Sequence, residues 1–292
     1  MTGVLSDFSE ALAKVVADSG PAVVRVEGRQ RMPASGVGWA PGIVITAHHV
    51  LETDGEVKLG FADGQTAVAQ IAGRDPSTDI AVLRTEGRTP VAQWNDLSQL
   101  KVGHVVLALG RPGATVRATM GIVAAFGEAW RTALGGKIDR YLQTDLAMYP
   151  GFSGGPLVDS AGRVVGINTS GLIRGSSITV PTPTVKRVVE TLLAYGKVKR
   201  GYLGVGVNPV RLSEGAGQAT GLLVNSVEPG SPAEQGGLLL GDVILKLDES
   251  TTLMPDDMLG YLAGDRVGVR AAVHVLRGGQ AKSLNVTIGE RK

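Results

Sequence analysis

From Val23 to about Val180 the chain keeps offering short β-branched runs, and each is cut off by Gly, Asp or Pro before it grows long. Val23-Val24-Arg25-Val26, Ile43-Val44-Ile45-Thr46, Val105-Val106-Leu107 and Val164-Val165-Gly166-Ile167 are the clearest. Side chains branched at Cβ are restricted in helices and pack well on a pleated surface. Runs of this length between turn signals predict an all-β barrel or sandwich rather than βαβ units. Composition agrees. Glycine accounts for 42 of 292 residues, about twice the ordinary ~7%, with no three-residue period. Hydrophobic residues make up 43%, enough for a sizeable core.

The ends of the chain read differently. Leu5, Phe8, Leu12, Val15 and Val16 recur at helical spacing behind an Asp7-x-x-Glu10 capping pattern, which predicts a helix over 7–18 ending at Ser19-Gly20-Pro21. Val185, Val188, Val189, Leu192 and Leu193 predict a second helix over 184–195. The basic, glycine-flanked stretch Gly196-Lys197-Val198-Lys199-Arg200-Gly201 then reads as a domain boundary. The block beyond it has strands at Leu222-Leu223-Val224 and Val273-His274-Val275-Leu276 and helices near 232–236 and 255–262. The expected organisation is a domain over 1–197 and a smaller one over 201–292.

Several function classes fall away. With no cysteine there is no disulfide framework, no thiolate nucleophile and no cysteine metal site. The four histidines, His48, His49, His104 and His274, form no H-E-x-x-H pattern, so neither metal nor cofactor is expected. The net charge is +2 without a basic run, which gives no sign of a nucleic-acid partner. No apolar stretch is long enough for a membrane helix, and Met1 to Asp7 lack the basic-then-apolar pattern of a leader.

Gly151-Phe152-Ser153-Gly154-Gly155-Pro156 carries the chemistry. A serine between glycines on a tight turn exposes its hydroxyl while nearby amides converge on one point. Acyl transfer needs both a nucleophile and donors for the developing oxyanion. Thr46-Ala47-His48-His49-Val50 follows an apolar strand and offers an imidazole base. Asp79, directly before the apolar run Ile80-Ala81-Val82-Leu83, offers a carboxylate to orient that base. Alone, each reads equally well as an ordinary turn or core residue. The order His, Asp, Ser within one β-rich region is that of the trypsin-like triad.

These segments, with Gln143-Thr144-Asp145 and Gly166-Ile167-Asn168-Thr169, resemble the HtrA/Deg family of trypsin-like serine proteases with a C-terminal PDZ domain. Arg200-Gly201-Tyr202-Leu203-Gly204-Val205, Ser231-Pro232-Ala233-Glu234 and Gly241-Asp242-Val243-Ile244 resemble its PDZ signature. The resemblance runs from about Phe8 to Ile288. It implies a mainly β fold: a trypsin-like double β-barrel followed by a smaller α+β PDZ domain. It further implies catalytic His49 (rather than His48), Asp79 and Ser153, and an oxyanion hole at Gly151 and Ser153. Ala147, Thr169 and Ser170 would line the substrate pocket. Tyr202, Leu203, Gly204 and Val205 would hold a peptide's terminal carboxylate, with Met258 and Leu262 either lining that groove or packing in the core.

The implied activity is a serine endopeptidase of protein quality control acting on unfolded polypeptides, with peptide C-termini at the PDZ groove. The uncharged wall near Ala147 and Ser170 favours small or medium aliphatic side chains at the cleaved position. A homotrimer or a higher oligomer built of trimers, assembled through the N-terminal segment where Phe8 either serves that contact or folds back onto the barrel, and a periplasmic or cell-envelope location are also implied. The segment 127–140 corresponds to the family's activation-sensing loop. Two departures are visible. Position 152 is Phe where the family usually has Asn, which bears on loop geometry rather than on the backbone donors. No long insertion lies between Arg31 and Gly38. A non-cleaving scaffold that binds unfolded chains stays open as an alternative, as does an esterase.

Overall fold

The computed structural model describes residues 3–87, 89–173, 178–213, 218–262 and 266–291. It falls into two compact units, Met1–Val198 and Lys199–Lys292. In the first, β1 (Val23–Glu27), β2 (Ala34–Ala40), β3 (Ile43–Ala47), β4 (Val57–Gly60), β5 (Thr66–Asp75) and β6 (Ile80–Thr85) close into a barrel of order β1-β2-β3-β6-β5-β4. Strands β7 (Val105–Gly110) and β8 (Arg117–Gly127) open a second barrel, and a small hairpin, β9 (Trp130–Arg131) and β10 (Lys137–Ile138), follows them. Strands β11 (Tyr141–Thr144), β12 (Pro156–Asp159), β13 (Val164–Thr169) and β14 (Ile178–Pro181) complete that barrel in the order β11-β14-β13-β12-β7-β8. The runs singled out in the sequence all lie in these strands. Closure leaves neither sheet with an open edge.

Helix α1 (Val4–Ser19) begins earlier than the spacing predicts. Gly3 is its N-cap and no side chain caps it, so Asp7 and Glu10 lie inside the helix and not in a capping box. Its inner face buries Val15 with Leu12 and Val16 against the core, while Val4, Leu5 and Phe8 stay exposed. Helix α2 (Thr182–Tyr195) ends on Gly196 in the left-handed conformation, a normal glycine stop. It buries Val185, Val188, Val189 and Leu192.

The second unit has β15 (Gly201–Tyr202), β16 (Val205–Arg211), β17 (Thr220–Val227), β18 (Val243–Leu247), β19 (Ser250–Thr251), β20 (Arg270–Arg277), β21 (Gln280–Thr287) and β22 (Gly289–Glu290). Helices α3 (Pro232–Gln235) and α4 (Pro255–Tyr261) complete it. Its main sheet runs β16-β17-β18-β20-β21, with β19 also on β18, and β16 is an edge strand. Met258 and Leu262 are each 6% exposed and pack in the core with Leu203, Leu222 and Val273. Among the described residues no helix is long and apolar enough to cross a membrane.

Candidate active site

Strand β3 ends at Ala47, and a single 3-10 turn, His48–Val50, carries the chain out of the first barrel. The turn is tied to the start of β6, because the His48 N–H donates to the Asp79 carbonyl at 3.0 Å. Asp79 has φ +57°, a left-handed conformation uncommon for any residue but Gly, Asn or Asp. Its carboxylate is almost completely buried and is satisfied from three sides. Oδ1 accepts the His49 N–H at 2.8 Å, Oδ2 lies 2.7 Å from His49 Nδ1, and the Thr169 hydroxyl donates to Oδ2. A buried carboxylate is tolerable only with such partners. Gly171 closes over the pair: a Cβ there would stand 2.8 Å from Asp79 Oδ2 and 2.9 Å from His49 Nδ1.

The two adjacent histidines are physically distinct. The His49 side chain is 30% exposed and aims Nδ1 at Asp79. His48 keeps Nδ1 buried without a partner among the described residues. Burial pushes the His48 imidazole below its ordinary range, outweighing the upward pull of Asp79.

The second barrel supplies the serine. Tyr149-Pro150-Gly151-Phe152 is a β-turn in which the Phe152 N–H donates to the Tyr149 carbonyl at 3.1 Å. Pro fits its second position, and glycine its third, where φ is +92°. Gly154 and Gly155 let the loop wedge in tightly. A Cβ on Gly154 would lie 2.2 Å from the Ser35 carbonyl oxygen, and one on Gly155 would lie 2.1 Å from that of Leu109. The Gly151 and Ser153 amides have no acceptor among the described residues, so they are chemically available to an incoming oxygen. Ser153 Oγ lies 3.2 Å from Ser170 Oγ, and no hydrogen bond joins it to the His49 ring among the described residues. In unliganded sites such bonds are often long and tighten with substrate.

Phe152 is 1% exposed and packs with Leu142, Leu146, Leu157 and Val165. Its ring meets Tyr149 edge-on with centroids 6.2 Å apart. The sequence departure at this position is therefore a hydrophobic anchor for the serine loop. Burying such a side chain is worth roughly 1.5–3 kcal/mol.

Ala147 and Ser170 are exposed, whereas Thr169 is 1% exposed with its hydroxyl committed to Asp79. Ser35 escaped the sequence reading. It is fully buried; its N–H donates to the Ser153 carbonyl at 3.1 Å and its hydroxyl to the Gly151 carbonyl at 2.6 Å. Its hydroxyl oxygen accepts the Arg111 N–H at 2.7 Å, and Arg111 in turn spends its guanidinium on the Gly20, Val23 and Ala114 carbonyls. A polar residue inside an apolar strand was the only available signal.

Residues 34–167 match the trypsin-like peptidase domain family and residues 201–288 match the PDZ domain family. Among solved structures, the HtrA-type protease AlgW with a decapeptide is 31% identical with a TM-score of 0.78, covering 96% of this chain and 98% of that one. The chain belongs to the HtrA/Deg family of trypsin-like serine proteases. A second solved structure, the serine endoprotease from Yersinia pestis, aligns with a TM-score of 0.78 at 31% identity over 96% of this chain and 98% of that chain. A protein of Ectopseudomonas mendocina named "Probable periplasmic serine endoprotease DegP-like" is 39% identical over 90% of this chain. A protein of the same name from Rhizobium meliloti is 36% identical over 91% of it. The chain spans 58% and 55% of those two relatives, little more than half their length.

Proposed function

We propose that this chain is a serine endopeptidase that hydrolyses unfolded or misfolded polypeptides. Ser153 Oγ attacks the scissile carbonyl while His49 takes its proton and later returns it to the leaving amine. Asp79, steadied by Thr169, holds the imidazole tautomer with Nδ1–H toward the carboxylate. The Gly151 and Ser153 amides receive the oxyanion, and water then releases the acyl group. The observation that carries the reading is the buried Asp79 carboxylate, bonded at once to the His49 backbone, the His49 ring and Thr169.

Ser153→Ala should abolish hydrolysis of unfolded casein by the purified chain; retained turnover would overturn the assignment. Mapping the products should show cuts after small and medium aliphatic residues, since Ala147 and Ser170 bring no charge to the pocket. A predominance of cuts after Lys or Arg would contradict that specificity.

In the second unit, the Leu203, Gly204 and Val205 amides, after Tyr202, receive a peptide's terminal carboxylate, and the peptide adds a strand to β16. Gly204, at φ +82°, supports this assignment, because it frees the turn for close approach. A homotrimer built on the exposed Val4, Leu5 and Phe8 of α1 and a periplasmic location complete the proposal. The relatives' printed names support the location.

A non-cleaving scaffold is the second reading. One observation favours it: Ser153 Oγ bonds to Ser170 instead of the His49 ring.

A further inference from the structure

We propose that Ser35 is a positioning residue for the oxyanion hole, its hydroxyl pinning the peptide unit that steers the Gly151 donor. The inference rests on the reading of Ser153 as nucleophile and of the Gly151 and Ser153 amides as the hole.

The two donors are oriented by different means. The Ser153 N–H belongs to the Phe152–Ser153 peptide unit, whose carbonyl accepts the Gly155 N–H at 2.9 Å from within the loop. The Gly151 N–H belongs to the Pro150–Gly151 unit, whose carbonyl accepts no hydrogen bond among the described residues. A peptide unit is planar, so its N–H points where the whole unit points. Lacking a bond of its own, this unit takes its orientation from its neighbours. The next unit, Gly151–Phe152, is held at both ends. Its N–H donates to the Tyr149 carbonyl at 3.1 Å, and its carbonyl accepts the Ser35 hydroxyl at 2.6 Å. Gly151, the joint between the two units, sits at φ +92° and has no side chain to restrict it.

The Ser35 hydroxyl has one proton to give. Its oxygen accepts the Arg111 N–H at 2.7 Å, which leaves that proton for the Gly151 carbonyl. The rest of the residue is equally committed: its N–H donates to the Ser153 carbonyl at 3.1 Å, and its carbonyl accepts the Thr46 hydroxyl at 2.7 Å. Ser35 lies on β2 of the first barrel and Thr46 on β3, three residues before His49, whereas Gly151 and Ser153 belong to the second barrel. Ser35 thus sets one oxyanion donor against the barrel that carries the base. Behind it, Arg111 is 4% exposed and forms no ion pair among the described residues. A buried cation without a counter-charge is costly. Its three carbonyl partners fix the backbone that supplies the N–H to Ser35.

The test is Ser35→Ala in the full chain, with melting curves and steady-state kinetics on unfolded casein. The expected result is a fall in kcat of about 30-fold, somewhat less than the roughly 100-fold or more lost with a whole oxyanion donor. KM should stay within about twofold, and the acidic limb of the pH–rate profile, set by His49, should not move. A peptidyl trifluoromethyl ketone, its sequence taken from a mapped cleavage site, forms an adduct whose oxyanion occupies the hole. Its affinity should fall by the same factor as kcat/KM, a parallel that a merely structural role would not produce. Should Ser35→Ala fail to fold, Ser35→Cys keeps the volume and a weak donor, and the same parallel is expected with a smaller loss. Unchanged kcat and ketone affinity in the folded variant, or a loss confined to KM, would overturn the inference. Casein hydrolysis that survives Ser153→Ala would overturn the nucleophile reading itself, a result distinct from either.

Discussion

At the scale of single residues, the site depends on positions where a side chain has no room. Gly171 is the sharpest case, since a methyl group would strike both Asp79 Oδ2 and His49 Nδ1. Gly171→Ala should therefore lower kcat about 100-fold, the usual cost of displacing a catalytic group by an ångström. The thermal midpoint should move by only a few degrees. Steady-state kinetics on an unfolded substrate, beside a melting curve, checks this; unchanged kcat would mean the pair is not held from above. Nothing in the sequence marks Gly171, because its constraint is a contact across the fold with ordinary backbone angles. His49, Asp79 and Ser153 could be singled out in the sequence only by their order and by resemblance, since each alone is an ordinary strand-end or turn residue; the structure brings His49 and Asp79 together. Ser35 and the role of Thr169 were not legible, since their partners lie far along the chain. Phe152 was legible as a departure but not as an anchor, because its neighbours Leu142 and Val165 come from other strands.

At the scale of elements, the segment 127–140 is a hairpin docked on the turn that leads to Asp79. Thr132 Oγ1 donates to the Ser77 carbonyl at 2.7 Å, two residues before Asp79. A Cβ on Gly136 would lie 2.4 Å from that same carbonyl oxygen. The turn is itself braced, as the Ser77 and Thr78 hydroxyls both donate to the Asp75 carboxylate at 2.7 Å. Thr132→Val removes one buried donor while keeping the side chain's shape. It should cost about 1–2 kcal/mol of stability and lower kcat more than it raises KM, because it loosens the acid and leaves the substrate surface intact. Urea unfolding and kinetics measure the two effects; a pure KM effect would place the hairpin at the substrate instead. Strands were legible here because β-branched runs and turns are local signals. The α1 start was missed because Asp7 and Glu10 imitate a capping box while Gly3, a weaker cap, holds the position.

At the scale of the whole molecule, each unit carries an acidic group held below the usual carboxylate range. Burial pushes the Asp139 carboxyl up, but Arg187, Thr184 and Lys137 together outweigh it. The same contest at Asp242 is won by Arg277 and the Leu239 N–H. A depressed folded pKa contributes stability that is full above the unfolded value, about 3.9, and is lost as pH falls through the folded one. The urea midpoint should thus begin to fall between pH 7 and 5, as the unfolded His48 takes up a proton that the buried one resists, and fall further below about pH 4, with a smaller fall there in Asp139→Asn. A midpoint that rises on acidification would contradict this. An all-β barrel or sandwich and a second, smaller domain were legible at this scale from strand spacing and the basic boundary, whereas the double barrel and the α+β unit came only with the resemblance of the ordered motifs to a known family. The open edge of β16 emerges only from the sheet order.

The central claim is that Ser153 is an activated nucleophile. Treating the intact chain with a fluorophosphonate and locating the adduct by mass spectrometry tests it most directly. Rapid, near-stoichiometric labelling at Ser153 that is lost in His49→Ala is the expected result. An unlabelled Ser153 in a folded chain, or labelling indifferent to His49, would contradict it and leave a scaffold that binds without cutting.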